Sequence, residues 1–201
     1  MIQARAADCT RTTLFIVLTG ATMAPHEDLL LSRMNHWNRA VPERGAGVYL
    51  YATREPLPWP SLGAIGANLY VGRSDSSLAA RCHFDHAHSG FSTLRRSLGV
   101  LLQNELDLVP RPRAPGPSRS NLLNFRFDDA GEARLTQWMR DTLQYAHAAV
   151  DENVAAVEKD LIASLQPVLN LTGWKNPNRS VLKSLRAEAV RRAAKGNEAV
   201  S

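Results

Sequence analysis

Residues 47–51, Gly47-Val48-Tyr49-Leu50-Tyr51, and residues 67–72, Ala67-Asn68-Leu69-Tyr70-Val71-Gly72, decide the fold. Both are short runs of aliphatic and aromatic residues next to turn formers, which reads as strand rather than helix. Pro56, Pro58 and Pro60 break the segment between them. Hairpin connections tolerate insertions, so the two runs are expected to pair antiparallel. Further on, Asn124-Phe125-Arg126-Phe127 is expected as a third strand, with a turn at residues 128–131. Helices are expected over residues 27–38, 76–84, 93–106, 131 to about 148, and about 151 to 165, from apolar spacing and capping residues. Pro110 to Arg119 holds four prolines and is expected as a stiff basic loop without regular structure. The fold class is therefore α+β, a small, mainly antiparallel three-stranded sheet flanked by helices.

A chain of 201 residues with 44% hydrophobic and 21% charged residues has the composition of one globular domain. Its longest aliphatic and aromatic run, Leu14 to Leu18, falls far short of the roughly 20 residues of a membrane span. Cys9 and Cys82 are the only cysteines, which excludes a disulfide framework and favours a reducing compartment, with the cytoplasm as the expected location. Asp8 interrupts the basic residues before Leu14, making a poor secretory signal; the first residues read as a leader or a misplaced start, with Met23 as initiator.

The net charge of +5 is concentrated in residues 173–201, where seven Lys/Arg face Glu188 and Glu198. Such a tail suits a polyanion, and equally suits solubilising charge. Val181, Leu182, Leu185, Ala189 and Val190 recur as the apolar stripe of a docking helix. No glycine-rich phosphate loop is present, and the Cys82, His83, His86, His88 cluster lacks the second ligand pair of a structural zinc site.

The residues that carry chemistry are Tyr49 and Tyr70 on the two strands, Arg81 eleven positions after Tyr70, and Glu158 followed twelve positions later by Asn170. In this order, with Gly47-Val48-Tyr49 and Tyr70-Val71-Gly72, the chain resembles the GIY-YIG nuclease superfamily over about residues 45–172. The segment Thr93-Leu94-Arg95-Arg96-Ser97-Leu98 is similar to segments of bacterial and restriction-type members. The resemblance divides the chain into a leader and helix (1–44), a nuclease domain (45–172) and a basic helical tail (173–201).

The resemblance implies a divalent-metal-dependent endonuclease acting on DNA, either as a monomer or as a transient dimer on the DNA. Glu158 would be the sole protein ligand of Mg²⁺, with Mn²⁺ as a substitute, since Mg²⁺ keeps several waters. Tyr49 would orient or deprotonate the attacking water, Arg81 would hold the scissile phosphate, and Tyr70 and Asn170 would position water and phosphate. A phenol ionises near pH 10, so Tyr49 needs a metal, a cation or a proton-accepting neighbour to act as base near neutrality. His86 is the first candidate and His83 the second, because Asp85 stands where the family often places histidine. The two tyrosines are also 21 residues apart, further than in many compact members. Phosphate contacts are expected from Arg73, Arg95, Arg96, Arg111, Arg113, Arg119, Lys183 and Arg186. The alternative readings are a catalytically silent nucleic-acid-binding module and a strand- or structure-specific subunit of a repair nuclease.

Overall fold

A computed structural model of the chain describes residues 25–36, 45–59, 62–64, 67–81, 88–116, 118–151 and 153–198. The chain begins with α1 (Pro25–Ser32) and β1 (Asn35–His36), then runs through β2 (Gly47–Thr53), a small hairpin of β3 (Pro58–Trp59) and β4 (Gly63–Ala64), and β5 (Asn68–Ser74). After α2 (Thr93–Leu101) come β6 (Pro110–Arg111), α3 (Arg119–Leu123), β7 (Arg126–Phe127) and α4 (Asp129–Thr142). The last elements are β8 (Leu143–Ala149), α5 (Val154–Leu165) and α6 (Arg179–Glu198). The main sheet has the order β1-β8-β2-β5 with every pair antiparallel, so β2, β5 and β8 are its three long strands, with β5 at one edge and the two-residue β1 at the other.

Strand β2 is buried along its whole length because both faces of the sheet are covered. Its alternation sends Val48 and Leu50 to one face, where they pack with Val71, Ala146, Ala148 and the α5 residues Val154, Leu161 and Ile162. Tyr49 and Tyr51 go to the other face, packing with Tyr145, with Leu94 and Leu98 of α2, with Leu135 and Met139 of α4, and with Leu182 of α6. A fully buried leucine contributes about 1.5–3 kcal/mol. Helix α6 therefore belongs to this layer, with Leu182, Ala189 and Ala193 wholly buried and α2, α3 and β6 as its neighbours. No helix among the described residues is long and apolar enough to cross a membrane.

The fold class is as expected, but the third strand lies elsewhere. It is β8, which occupies the end of the stretch expected as helix up to about Ala148; that helix, α4, stops at Thr142. Residues 144–149 carry alanines that suit a helix, yet hydrogen bonding to β1 and β2 on both sides outweighs that preference. Arg126–Phe127 pairs instead with Pro110–Arg111, so the proline-rich stretch opens in a short ladder. In the described part of residues 76–84 the helical element is a 3-10 turn, Ala79–Arg81. The helix expected over 27–38 ends at Ser32, and α2 ends at Leu101 rather than Leu106. The leader residues, Met23 among them, lie outside the described residues.

On the sheet's tyrosine face a buried ion pair joins four segments. Arg95 is fully buried, and its Nη2 donates to Glu132 Oε2 at 2.7 Å and to Thr136 Oγ1 at 2.9 Å. Glu132 Oε1 accepts from the Ser89 and Phe127 N–H groups at 2.8 and 2.9 Å, and Oε2 also accepts from Ser89 Oγ at 2.9 Å. The expectation that Arg95 contacts phosphate is thereby corrected, because its guanidinium is sealed against α4. Removing one partner of such a pair leaves the other charge buried and unpaired. Glu132→Ala is expected to lower unfolding stability by about 3–5 kcal/mol in urea titration; a loss near zero would show that the pair does not hold the helical layer.

Candidate active site

The register of β2 against β5 sets Tyr49 opposite Gly72 and Tyr51 opposite Tyr70. A Cβ built on Gly72 would stand 2.5 Å from the Tyr49 hydroxyl and 2.6 Å from the ring carbon that bears it. Gly72 is thus needed because the Tyr49 phenol lies across its α-carbon, a close approach rather than a turn. Gly47 has the same kind of reason, since a Cβ there would run into the Ala148 carbonyl on β8. Around Tyr49 the ring centroids of Tyr51, Tyr145 and Tyr70 lie at 5.9, 6.3 and 6.4 Å.

Tyr49 is 3% exposed, and burial raises its phenol pKa far above the usual value. Tyr70, Tyr145 and Glu158 push in the same direction, and Arg81 alone opposes them. The Tyr70 phenol is raised by burial and by Glu158, against the pull of Arg186, Arg81 and Arg96. Both tyrosines therefore have Arg81 and Glu158 as charged neighbours. Arg81 sits at the end of its 3-10 turn, where its N–H donates to the Leu78 carbonyl; its side chain is exposed to solvent and makes no hydrogen bond or ion pair among the described residues.

Glu158 lies half-buried on α5. Its Oε2 accepts from Arg73 Nη1 at 3.0 Å, and Arg73 Nε reaches Asp75 Oδ1 at 3.1 Å. Burial lifts the Glu158 carboxyl above its ordinary pKa, Arg73 opposes this by charge and hydrogen bond, and Asp75 adds a smaller upward push.

Asn170 is also brought to β5, but in a different capacity. Its Oδ1 accepts the Val71 N–H at 2.9 Å while its Nδ2 donates to the Val71 carbonyl at 2.8 Å. The chain before it continues the contact, with Val168 N–H donating to the Asn68 carbonyl and Leu169 N–H to the Leu69 carbonyl. Asn176 Nδ2 then donates to the carbonyls of Val168 and Asn170 at 2.7 and 2.9 Å. Asn170 is therefore a clasp on the strand that carries Tyr70, with its amide oxygen and nitrogen both engaged by Val71.

The cations expected to meet phosphate fall into distinct settings. Arg73 is occupied by Glu158 and Asp75, whereas Arg119 and Lys183 are exposed. Arg111 is half-buried on β6, and Arg113 hydrogen-bonds Asn121 Oδ1 with its guanidinium 5.5 Å above the Phe91 ring. Arg96 Nη1 donates to the carbonyls of Ser89 and Gly90 at 3.1 and 3.0 Å. Arg186 Nη2 donates to the Thr93 carbonyl at 3.2 Å and to Ser97 Oγ. Burial, with Arg96 nearby, pushes the Arg186 guanidinium down to about 10, which still leaves it charged near neutrality.

His86 and His83 lie outside the described residues. His147, which the helical reading of its segment hid, stands opposite Tyr49 on β8 with its ring stacked on Tyr145 at 5.5 Å. Only a strand reading of residues 143–149 would have aligned it with Tyr49.

Two outcomes check this arrangement. In Asn170→Ala the Val71 amide loses its acceptor and is expected to exchange with deuterium about tenfold faster or more, as for a lost hydrogen bond near 1.4 kcal/mol, with Leu50 unchanged. Equal protection at Val71 would refute the clasp. For Tyr49 and Tyr70 the folded pKa values lie above the unfolded one, so the folded state retains protons that the unfolded state loses. Stability is therefore expected to fall as pH rises beyond about 10, and Tyr49→Phe should flatten that fall in thermal melts taken against pH.

A family model described as the GIY-YIG catalytic domain matches residues 65–191, from just before β5 into α6. The Tyr49 strand precedes the matched span and is joined to it by the β2–β5 ladder. Neither the curated proteins nor the solved structures gave a match. With more than half its length matched, the chain belongs to the GIY-YIG catalytic domain family, whose members are nucleases.

Proposed function

We propose that the chain is a divalent-metal-dependent endonuclease that hydrolyses phosphodiester bonds in DNA, working as a monomer or as a transient dimer on the DNA. The observation that carries this reading is the tyrosine pair 6.4 Å apart, with one arginine and one carboxylate, Arg81 and Glu158, as charged neighbours of both phenols. Phosphodiester hydrolysis needs these parts: a positioned water, positive charge on the phosphoryl oxygens, and an anchor for a cation.

Among the described residues no group of three or more His, Cys, Asp or Glu is placed to hold a metal ion. The donor set is a single half-buried carboxylate whose Oε2 is held by Arg73 and whose Oε1 makes no hydrogen bond among the described residues. This suits Mg²⁺, or Mn²⁺ in its place, which takes one carboxylate and keeps its waters. Bound at Glu158, such an ion supplies Lewis-acid charge to the phosphoryl oxygens.

The remaining chemistry belongs to side chains. Arg73 favours the ionised form of Glu158, ready to act as ligand. Arg81 offers its planar fork to the non-bridging oxygens. Tyr49 stays protonated near neutrality, so it orients water by hydrogen bonding and hands on a proton only where a base stands beside it. His86 keeps that place from the family resemblance, and His147 is supported by its register with Tyr49. A silent binding module is less well supported, since it would need neither Arg81 nor Glu158 beside the tyrosines.

Purified protein incubated with supercoiled plasmid, single-stranded DNA and RNA, in Mg²⁺ or EDTA, tests the reading. Cleavage of DNA in Mg²⁺ alone is expected, with nicked circles before linear product because one centre aligns one phosphodiester. Glu158→Gln should abolish cutting while DNA binding persists, and Tyr49→Phe and Arg81→Ala should each slow it on the order of 10²-fold. Wild-type rates in Glu158→Gln would remove the metal assignment, and comparison of His86→Ala with His147→Ala identifies the proton acceptor.

A further inference from the structure

Arg186 and Arg96 come from helices far apart in sequence and meet at the first residue of α2. Arg186 Nη2 donates to the Thr93 carbonyl, and Arg96 Nη2 donates to Thr93 Oγ1. Each guanidinium is a charged neighbour of the other and of Tyr70. Arg113 is a further like charge near Arg96, and neither Arg96 nor Arg186 forms an ion pair with a carboxylate among the described residues. Their hydrogen-bond partners are carbonyls and hydroxyls, which hold the groups in place without neutralising them. Arg186 Nε is buried and has no acceptor among the described residues.

Two half-buried like charges without a counter-ion oppose folding, unless a bound anion offsets them. Two other arginines on the same chain are paired with acid, Arg95 with Glu132 and Arg73 with Glu158. We propose that Arg186 of α6 and Arg96 of α2 form a binding site, beside Tyr70, for a backbone phosphate of the substrate strand next to the phosphate that Arg81 holds. A phosphodiester suits the site in charge and shape, since its two non-bridging oxygens match the forked donors of guanidinium groups. The tail helix then completes the substrate site, and Arg186 acts differently from the exposed Lys183, Arg191 and Arg192 on the same helix. This inference rests on the nuclease reading for the identity of the strand, although the anion site can be measured without cleavage.

The test uses the full chain in EDTA. Dimethyl phosphate, a single phosphodiester, is titrated while the arginine side-chain nitrogen resonances are followed by NMR; saturable shifts at Arg96 and Arg186 are expected. Arg186→Gln should abolish the shift at Arg96, and Lys183→Gln should leave it intact. In fluorescence anisotropy with a labelled DNA oligonucleotide, Arg186→Gln and Arg96→Gln should each weaken binding about tenfold or more. Each should also lower the salt slope by about one, and the double variant should lose little further. No shift with dimethyl phosphate, or unchanged affinity and slope in both variants, overturns the proposal. Thermal melts report folding; if Arg186→Gln does not fold, Arg96→Gln on the other helix carries the same expectations and decides. Wild-type protein that shows the phosphate shifts and binds DNA but never cuts it in Mg²⁺ would fail the nuclease reading while leaving the anion site standing.

Discussion

The side-chain amide of Asn170 holds both backbone polar groups of Val71, and the candidate site depends on that clasp. Strand β5 is the edge of the sheet opposite β1, and an unpaired edge leaves backbone donors and acceptors without partners. Residues 168–170 run along this edge and satisfy them. The same stretch follows α5, where Gln166 in a left-handed conformation ends the helix and turns the chain toward β5. One short segment thereby fixes the strand of Tyr70 relative to the helix of Glu158. Asn176 grips the segment from behind and leads directly into α6.

How far the sequence could be read follows from the range of the interactions. Residues 47–51 and 68–72 were legible as strands because their residue types and flanking glycines speak locally, and the register then explains Gly72 through the Tyr49 ring that lies on it. Strand β8 was hidden because Ala146, Ala148 and Ala149 suit a helix, and only the ladders on both sides make them strand. Arg95 and Arg96 are adjacent and chemically alike, yet one is sealed in a knot with Glu132 and the other stands near Tyr70. That difference is set by Glu132, 37 positions away from Arg95, which spacing within one helix does not reveal. Asn170 was visible as a residue of interest, but its hydrogen bonds run to a backbone 99 positions earlier.

The charges around the two phenols are of both signs. Glu158 acts on both phenols as negative charge, and Arg81, Arg96 and Arg186 act on Tyr70 as positive charge. A protonated phenol among such charges can both donate and accept a hydrogen bond without itself changing charge. Burial keeps both tyrosines in that neutral form. Tyr49 and Tyr70 thus remain neutral dipoles in a setting where a phenolate would be costly.

Helix α6 is the last described element of the chain, and it covers Leu94 and Leu98 of α2 in the shared apolar layer. During synthesis the ribosome releases α2, α4 and the whole sheet before it releases Arg186. Domains fold largely as units while the chain emerges, so this layer stays open to water, and to chaperones, until α6 arrives. The nascent protein therefore holds its tyrosine pair for some time without the arginine that stands beside Tyr70. A chain stopped short of α6 would expose apolar surface and lack that charge together, so one truncation would open the core and leave the site incomplete.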